Sequence, residues 1–358
     1  MIGSFLRISG VASLIAGGLM SVAVAAHAEQ LTMRGTVSAD DWKTYSDRFV
    51  APNGRVIDDA NGDISHSEGQ GYGLLLAFAA DDRAAFERIW SFTRTELLLR
   101  DDGLAVWSWR PTLPHVPDTN NASDGDLLIA YALAEAGWAW KEKGYLQSAT
   151  AIATALGKKT VVKDLGRELL LPGVDGFSRS ARPDGPIVNL SYWIFEAFPV
   201  MAQLAPATNW KGLANSGLSL LRQAQFGEEH LPTDWITVHE KRVEPAEGFD
   251  PVFGYNSIRI PLYILRAGIT DAALLGPYEK AWFGPGKPGP AVINVKTNAV
   301  ESTLGEPGYR IVAAALACVR DGKPVPDDLK TFSPTLYYPS TLHLLSLSFL
   351  KERRAECL

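Results

Sequence analysis

Two kinds of helix-like segment alternate along this chain, and the alternation restricts the folds open to it more than any other feature. One kind opens with a loop rich in Gly, Asn, Ser or Asp and then runs strongly apolar. Such segments begin near Ser65, Ser123, Ser191, Tyr255, Glu306 and Ser340. The other kind is amphipathic, as in Ala39–Phe49, Asp82–Leu99, Lys143–Leu156, Trp210–Gln225 and Asp271–Trp282. A helix that is apolar all round must be packed all round, whereas one with a single apolar stripe shields a core from water. Two concentric layers follow, with six inner helices and about six outer ones. The predicted fold is all-α, an (α/α)6 barrel whose substrate cleft lies on the loop face, at the N-terminal ends of the inner helices. Strand-like alternation is scarce, and no short solenoid repeat is present. Periodicity alone leaves an irregular helical domain as the alternative. The Gly/Pro-rich connections 101–121 and 284–305 are too long for turns, and each is followed by an apolar helix, so they read as cleft wall rather than linker.

Residues 1–28 read as an export signal. Arg7 precedes an apolar run from Val11 to Ala26, and Ala26-His-Ala28 has the small-x-small form of a signal-peptidase site. The run is short for a spanning helix, so no stable membrane anchor is expected after cleavage. The expected product is one domain, 29–358, working in the periplasm or secreted. Cleavage takes away one arginine and no acid, which moves the net charge from −6 to −7. A mildly acidic chain with scattered Lys and Arg is a poor partner for nucleic acid, while a neutral polysaccharide remains compatible. Cys318 sits in an apolar run and Cys357 is second from the end. Export permits a bridge between them without requiring one.

Carboxylates stand at two of the loop-to-helix junctions. Glu68 follows Ser65 at capping-box spacing, so it has a structural role available as well as a chemical one. Gly69, Gly71 and Gly73 crowd that helix start at a cost in helix propensity, which suggests close approach by another backbone or by a substrate. With Ser123 as N-cap, Asp126 closes a second capping box and Asp124 is the freer acid. A separated Glu and Asp among aromatic side chains is the minimum equipment for cleaving a glycosidic bond. Trp107 and Trp109 alternate just before the Asp124 loop, with Asn120 and Asn121 between. Tyr72, Tyr192, Trp193, Trp235, Tyr255, Tyr337 and Tyr338 lie at or near other junctions. The histidines are scattered, and no His-x-x-x-His, Cys-x-x-Cys or Asp-rich calcium loop occurs, so neither metal nor cofactor is expected. Gly-x-Ser-x-Gly and phosphate-binding loops are also missing.

The run from Ala122 to Trp140, with Ser-Asp-Gly-Asp at its start, resembles the pattern that marks glycoside hydrolase family 8. Ser67-Glu-Gly-Gln-Gly-Tyr-Gly73 is similar to that family's first catalytic segment, and 191–193, 232–235 and 253–261 resemble its later ones. The likeness extends from about Asp41 to Phe349 and is nearest to the endoglucanases encoded with bacterial cellulose synthases. It implies an (α/α)6 barrel and metal-free hydrolysis of β-1,4-glucan with inversion. It also implies a possible cellulose synthase partner. By resemblance Glu68 is the general acid, and Asp124 contacts the sugar at the cleavage point. Tyr72, Trp107, Trp109, Asn121, Tyr192, Asp234, Tyr255, Asn256 and Arg259 would bind substrate, with Arg259 pairing to a cleft carboxylate. Many members of the family have an aspartate as base where this chain has Asn256, and an amide cannot take a proton from water at neutral pH. Asp124 is then the first candidate base, followed by Asp250 and Asp234. Chitosan, xylan or mixed-linkage glucan are alternative substrates, and a binding-only partner of a synthase is the alternative of another class.

Overall fold

A computed structural model of the protein describes residues 33–358. The expected signal segment and its cleavage position lie outside the described residues.

Twelve α-helices are described: α1 (Ala39–Phe49), α2 (Ser67–Ala79), α3 (Arg83–Phe92), α4 (Ser123–Ala139), α5 (Lys143–Lys159), α6 (Phe198–Leu204), α7 (Trp210–Gln223), α8 (Ile260–Arg266), α9 (Ala272–Trp282), α10 (Pro307–Asp321), α11 (Asp327–Lys330) and α12 (Tyr337–Arg353). The even-numbered helices form the inner layer. In α2 every residue but Glu68 is buried, and in α4 every residue from Ser123 to Ala134. By contrast α1 buries Trp42, Tyr45 and Phe49 along one stripe, and α7 buries a stripe from Trp210 to Leu221. The inner layer closes on itself. Helix α2 packs on α4 and α4 on α6, α8 packs on the 3₁₀ turn leading into α6, α10 lies between α8 and α12, and α12 returns to α2. The double ring expected from the alternation is therefore present, with α11 as a four-residue remnant of the sixth outer helix.

Two inner helices begin later than the polar junctions before them suggest. The segments near Ser191 and Tyr255 first form 3₁₀ turns, Leu190–Tyr192, Phe195–Ala197 and Ser257–Arg259, before α6 and α8 start. Proline in the first turn of each α-helix fixes the later start, since its missing N–H has no partner to lose there. The long connections are held by short antiparallel sheets that strand-pattern reading does not pick out. Ser65–His66 pairs with Ser108–Trp109, Val161–Asp164 with Arg167–Leu170, Ile236–Val238 with Ile187–Val188 and Val243–Pro245, and Ala291–Asn294 with Val252–Phe253 and Val300–Thr303. Strands of two to four residues are too brief to show a periodicity. Cys318 on α10 and Cys357 beyond α12 are bridged, S–S 2.06 Å, which settles the pairing the sequence left open. No helix among the described residues is long and apolar enough to cross a membrane.

Candidate active site

The cleft is organised by the crossing of α2 and α4. A Cβ on Gly71 would lie 2.5 Å from Leu128 Cβ and 3.2 Å from the Ile129 nitrogen, and one on Gly125 would lie 2.6 Å from the Glu68 nitrogen. Only glycine allows these backbones to approach so closely. The approach brings Glu68 and Asp124, each the second residue of its helix, to one place. Of the glycines of the first motif, Gly71 therefore admits another backbone, one of the two occupants the pattern suggests, whereas Gly69 faces the Tyr337 and His66 side chains and Gly73 those of Val56 and Ile89.

Arg259, at the end of the turn before α8, joins the two acids. Its Nη1 donates to Glu68 Oε1 at 3.0 Å and to the Tyr338 hydroxyl at 3.4 Å, and its Nη2 donates to Asp124 Oδ2 at 2.9 Å. Arg259 is 2% exposed, and its guanidinium lies 5.8 Å and 6.0 Å from the Tyr192 and Tyr338 ring centroids. One cation thus faces two carboxylates in a low-dielectric pocket. Asp124 is 1% exposed, and its Oδ1 accepts the Gly125 N–H at 2.8 Å. Burial, and then the charge of Glu68, push its pKa up to about 7 against the pull of Arg259. Glu68 is half-buried and lines a cleft of about 570 Å³ with His66, Tyr255, Asn256, Arg259 and Tyr338. Asp124 lies behind that lining.

Asp234 occupies the adjoining lobe. Its Oδ1 accepts from the Gly254 and Ser257 N–H groups at 3.0 and 2.9 Å, and its Oδ2 accepts longer bonds, 3.3 Å each, from Asn256 N and Nδ2. The lobe, about 490 Å³, is lined by Asp234, Trp235, Phe249, Asp250 and Tyr255. Tyr255 is 54% exposed and stands between the two spaces. A larger depression of about 640 Å³, on the outward face of α5 beside Leu146, Thr150 and Lys158, contains none of these groups.

The structure corrects several assignments read from the sequence. Tyr72 is fully buried with its hydroxyl on that of Tyr263, so its ring lies beneath the cleft floor. Asn121 is also buried. Its Nδ2 donates to Asp126 and its Oδ1 accepts the Val174 N–H, so the amide braces the wall from inside. Asp126 does have a structural role, though as an anchor for the 101–121 loop rather than as a capping box. It accepts from the Ala105 N–H at 2.8 Å, and Ala122, not Ser123, is the N-cap of α4. Ser65 likewise gives its hydroxyl to Val56 O, and His66 caps α2 in its place. The ring of Trp109 is stacked by His115 at 4.6 Å with Arg55 at 5.1 Å, so it is built into the wall, whereas Trp107 is half-buried and donates Nε1–H to Asp118. Tyr192 packs edge-on to Trp235, which is stacked between Phe177 and Phe249. Tyr338 and His66 contribute more than their sequence positions suggested, and in both cases the available signal was adjacency to a helix start.

The model for "Glycosyl hydrolases family 8" matches residues 16–352. An endoglucanase from Cellulomonas uda is 41% identical over 74% of this chain and 77% of its own length. A family 8 endoglucanase from Klebsiella pneumoniae, known from its crystal structure, superposes with a TM-score of 0.79 at 38% identity, covering 88% of this chain and all of that one. The endo-β-1,4-glucanase from Acetobacter xylinum has a TM-score of 0.79 at 32% identity, over 90% and 99% of the two chains.

Proposed function

Because the chain belongs to glycosyl hydrolases family 8 and is an endo-1,4-β-glucanase, we propose that it cleaves internal bonds of cellulose-type glucan by single displacement, with inversion at the anomeric carbon. The observation that carries this reading is the shared guanidinium. Arg259 holds Glu68 at the cleft surface and Asp124 directly behind it. With one cation between two carboxylates, a proton on either acid belongs to the same cluster. Glu68 is the member of that cluster open to substrate, and it donates the proton to the leaving glycosidic oxygen.

Water activation falls to the other side of the sugar, at the separation of about 6.5–9.5 Å that inversion requires. Asp124 was the first candidate there, but its oxygens are engaged by Arg259 and Gly125, and it sits on the acid's side of the site. Asp250 is exposed at the rim. Asp234 lines the neighbouring lobe, and its Oδ2 has only long bonds from Asn256. We therefore assign proton acceptance to Asp234, with Asn256 orienting the water through its amide oxygen. Tyr255, Tyr192 and Trp107 are the aromatic faces left for pyranose rings. We place the activity outside the cytoplasm, on the strength of the export segment read in residues 1–28. The motif resemblance further suggests work alongside bacterial cellulose synthesis.

Viscometry of carboxymethyl cellulose tests the central reading. The wild type should lower viscosity far faster than it releases reducing ends, and Glu68→Gln should lose about 10²–10⁴-fold in rate. A wild type that acts only on chitosan or xylan would overturn the substrate. Asp234→Ala should be similarly slow but recover with added azide, yielding a glycosyl azide of inverted configuration. If azide instead rescues Asp124→Ala and leaves Asp234→Ala inactive, the base is Asp124.

A further inference from the structure

The outer helices α1, α3, α7 and α9 begin with side-chain caps, from Ser38, Asp82, Asn209 and Asp271. Among the inner helices, α4, α6, α8, α10 and α12 have no side-chain cap. Helix α2 is the exception, and its cap is an imidazole. His66 is extended, φ −133° and ψ 157°, and its Nδ1 accepts the Gly69 N–H at 2.9 Å. The usual capping oxygens of Ser, Thr, Asp and Asn remain acceptors across the working pH range. An imidazole nitrogen accepts only while it carries no proton. The acid of the cleft, Glu68, is inside the turn that this bond closes.

We propose that His66 is a positioning residue for the general acid: its neutral ring holds the first turn of α2, and with it Glu68, and protonation of Nδ1 releases that turn. The proposal rests on the reading of Glu68 as the acid. The ring's other nitrogen fits the role, since Nε2 lies 3.4 Å from Asp58 Oδ2, a partner that favours the tautomer with hydrogen on Nε2. The groups facing the ring are Asp58 from the loop before α2, Glu68 from α2 itself, Asp124 from α4 and Tyr337 from α12, whose ring is edge-on at 5.7 Å. Burial opposes the charged ring most strongly, but the hydrogen bond to Asp58 and the three carboxylates together outweigh it and raise the pKa of the imidazole. A proton on Nδ1 would also set N–H against the N–H of Gly69, so the capped turn belongs to the neutral form. The ring therefore takes up its proton at a higher pH than an isolated histidine would, and the loss of the cap on protonation limits activity on the acid side.

The test compares the full chain with His66→Asn, whose side-chain oxygen caps without titrating, and with His66→Ala, which has no cap. Steady-state rates on carboxymethyl cellulose are measured from about pH 4.5 to 8.5. Hydrogen exchange of residues 67–71 is followed alongside, normalised to the uncoupled outer helix α9. The Asn variant should stay within about three-fold of wild-type kcat at pH 7.5 and lose the acid-side fall. The Ala variant should lose about ten-fold in kcat at every pH with little change in KM, and should exchange faster at 67–71. A wild-type pH profile in His66→Asn overturns the proposal even if His66→Ala fails to fold. Should the wild type hydrolyse no glucan, the reading of Glu68 fails separately. In that event, exchange at 67–71 that does not change across the titration of the ring overturns the cap itself.

Discussion

Arg259 serves two carboxylates at once, and that sets how each of the three side chains responds to change. Removing a partner from a buried ion pair leaves an uncompensated charge, at a cost of about 3–5 kcal/mol. Arg259→Met should therefore lower stability by about that much and abolish hydrolysis, as seen by thermal denaturation and viscometry. Arg259→Lys is the sharper test. An ammonium is a compact charge without the planar fork, so it can serve Glu68 or Asp124 but not both in the present geometry. It should keep the fold and lose at least ten-fold in kcat. The raised Asp124 pKa fixes the sign on the alkaline side. The cluster gives up its proton as pH rises through about 7, so kcat should decline over that interval in a pH–rate profile. At this scale the sequence identified the charged residues and an Arg259–carboxylate pair. It did not show that the pair is a triad, because Glu68 and Arg259 are 191 residues apart and Asp124 and Arg259 are 135 apart. The burial of Tyr72 and Asn121 was illegible for the same reason, since a polar residue at a helix start looks alike whether it faces a cleft or a neighbouring helix.

The elements carry the site through the α2–α4 crossing. Gly71→Ala would force apart two backbones that are in contact, costing about 1–3 kcal/mol as overpacked cores do, and it should lower kcat because Glu68 and Asp124 move with their helices. Gly144→Ala is the matched control. It lies in the exposed first turn of outer helix α5, and a Cβ there meets only Glu142 Oε1, at an ordinary contact of 3.7 Å. It should stabilise by about 0.5–1 kcal/mol through helix propensity alone and leave kcat unchanged. Opposite signs in thermal denaturation separate close packing from propensity. A Gly71→Ala protein as stable as the wild type would show that the crossing tolerates a methyl group. Helix existence was legible for every described α-helix but the four-residue α11, which is too short to show a period, because a 3.6-residue pattern is a local property. Helix starts were less so. The caps went to His66 and Ala122 rather than to Ser65 and Ser123, since Ser65 is drawn to Val56 and the start of α4 carries no side-chain cap.

Across the whole molecule, buried acids set the dependence of stability on pH. Asp124, Asp126 and Glu135 each have a pKa raised to about 7, with burial as the leading cause. For Glu135, the charges of Glu196 and Glu352 add to it. Their unfolded values are near 4, so the native state binds more protons between about pH 4 and 7. Their contribution to stability is complete below that window and is lost as pH rises through it. Acids held low by partners, such as Asp102 beside Arg100 and Asp184 beside Arg182, act in the opposite sense and matter only toward more acidic pH. Thermal denaturation should therefore give a higher Tm at pH 5 than at pH 8. A Tm that rises from 5 to 8 would mean that these acids are ionised in the native state at lower pH than their burial implies.

The sequence by itself determined the alternation of apolar and amphipathic helices and the acids that stand at two of the loop-to-helix starts, since each follows from the spacing of residues within a turn or two of one another. The choice of a closed barrel over an irregular helical domain, and Arg259, entered with the family resemblance. Only the tertiary structure decided which polar side chains reach the cleft and which become internal struts, which residue caps α2, and that Arg259 closes on both acids. Those outcomes depend on how six inner helices close into a ring, and ring closure brings together residues whose separation along the chain holds no local signal.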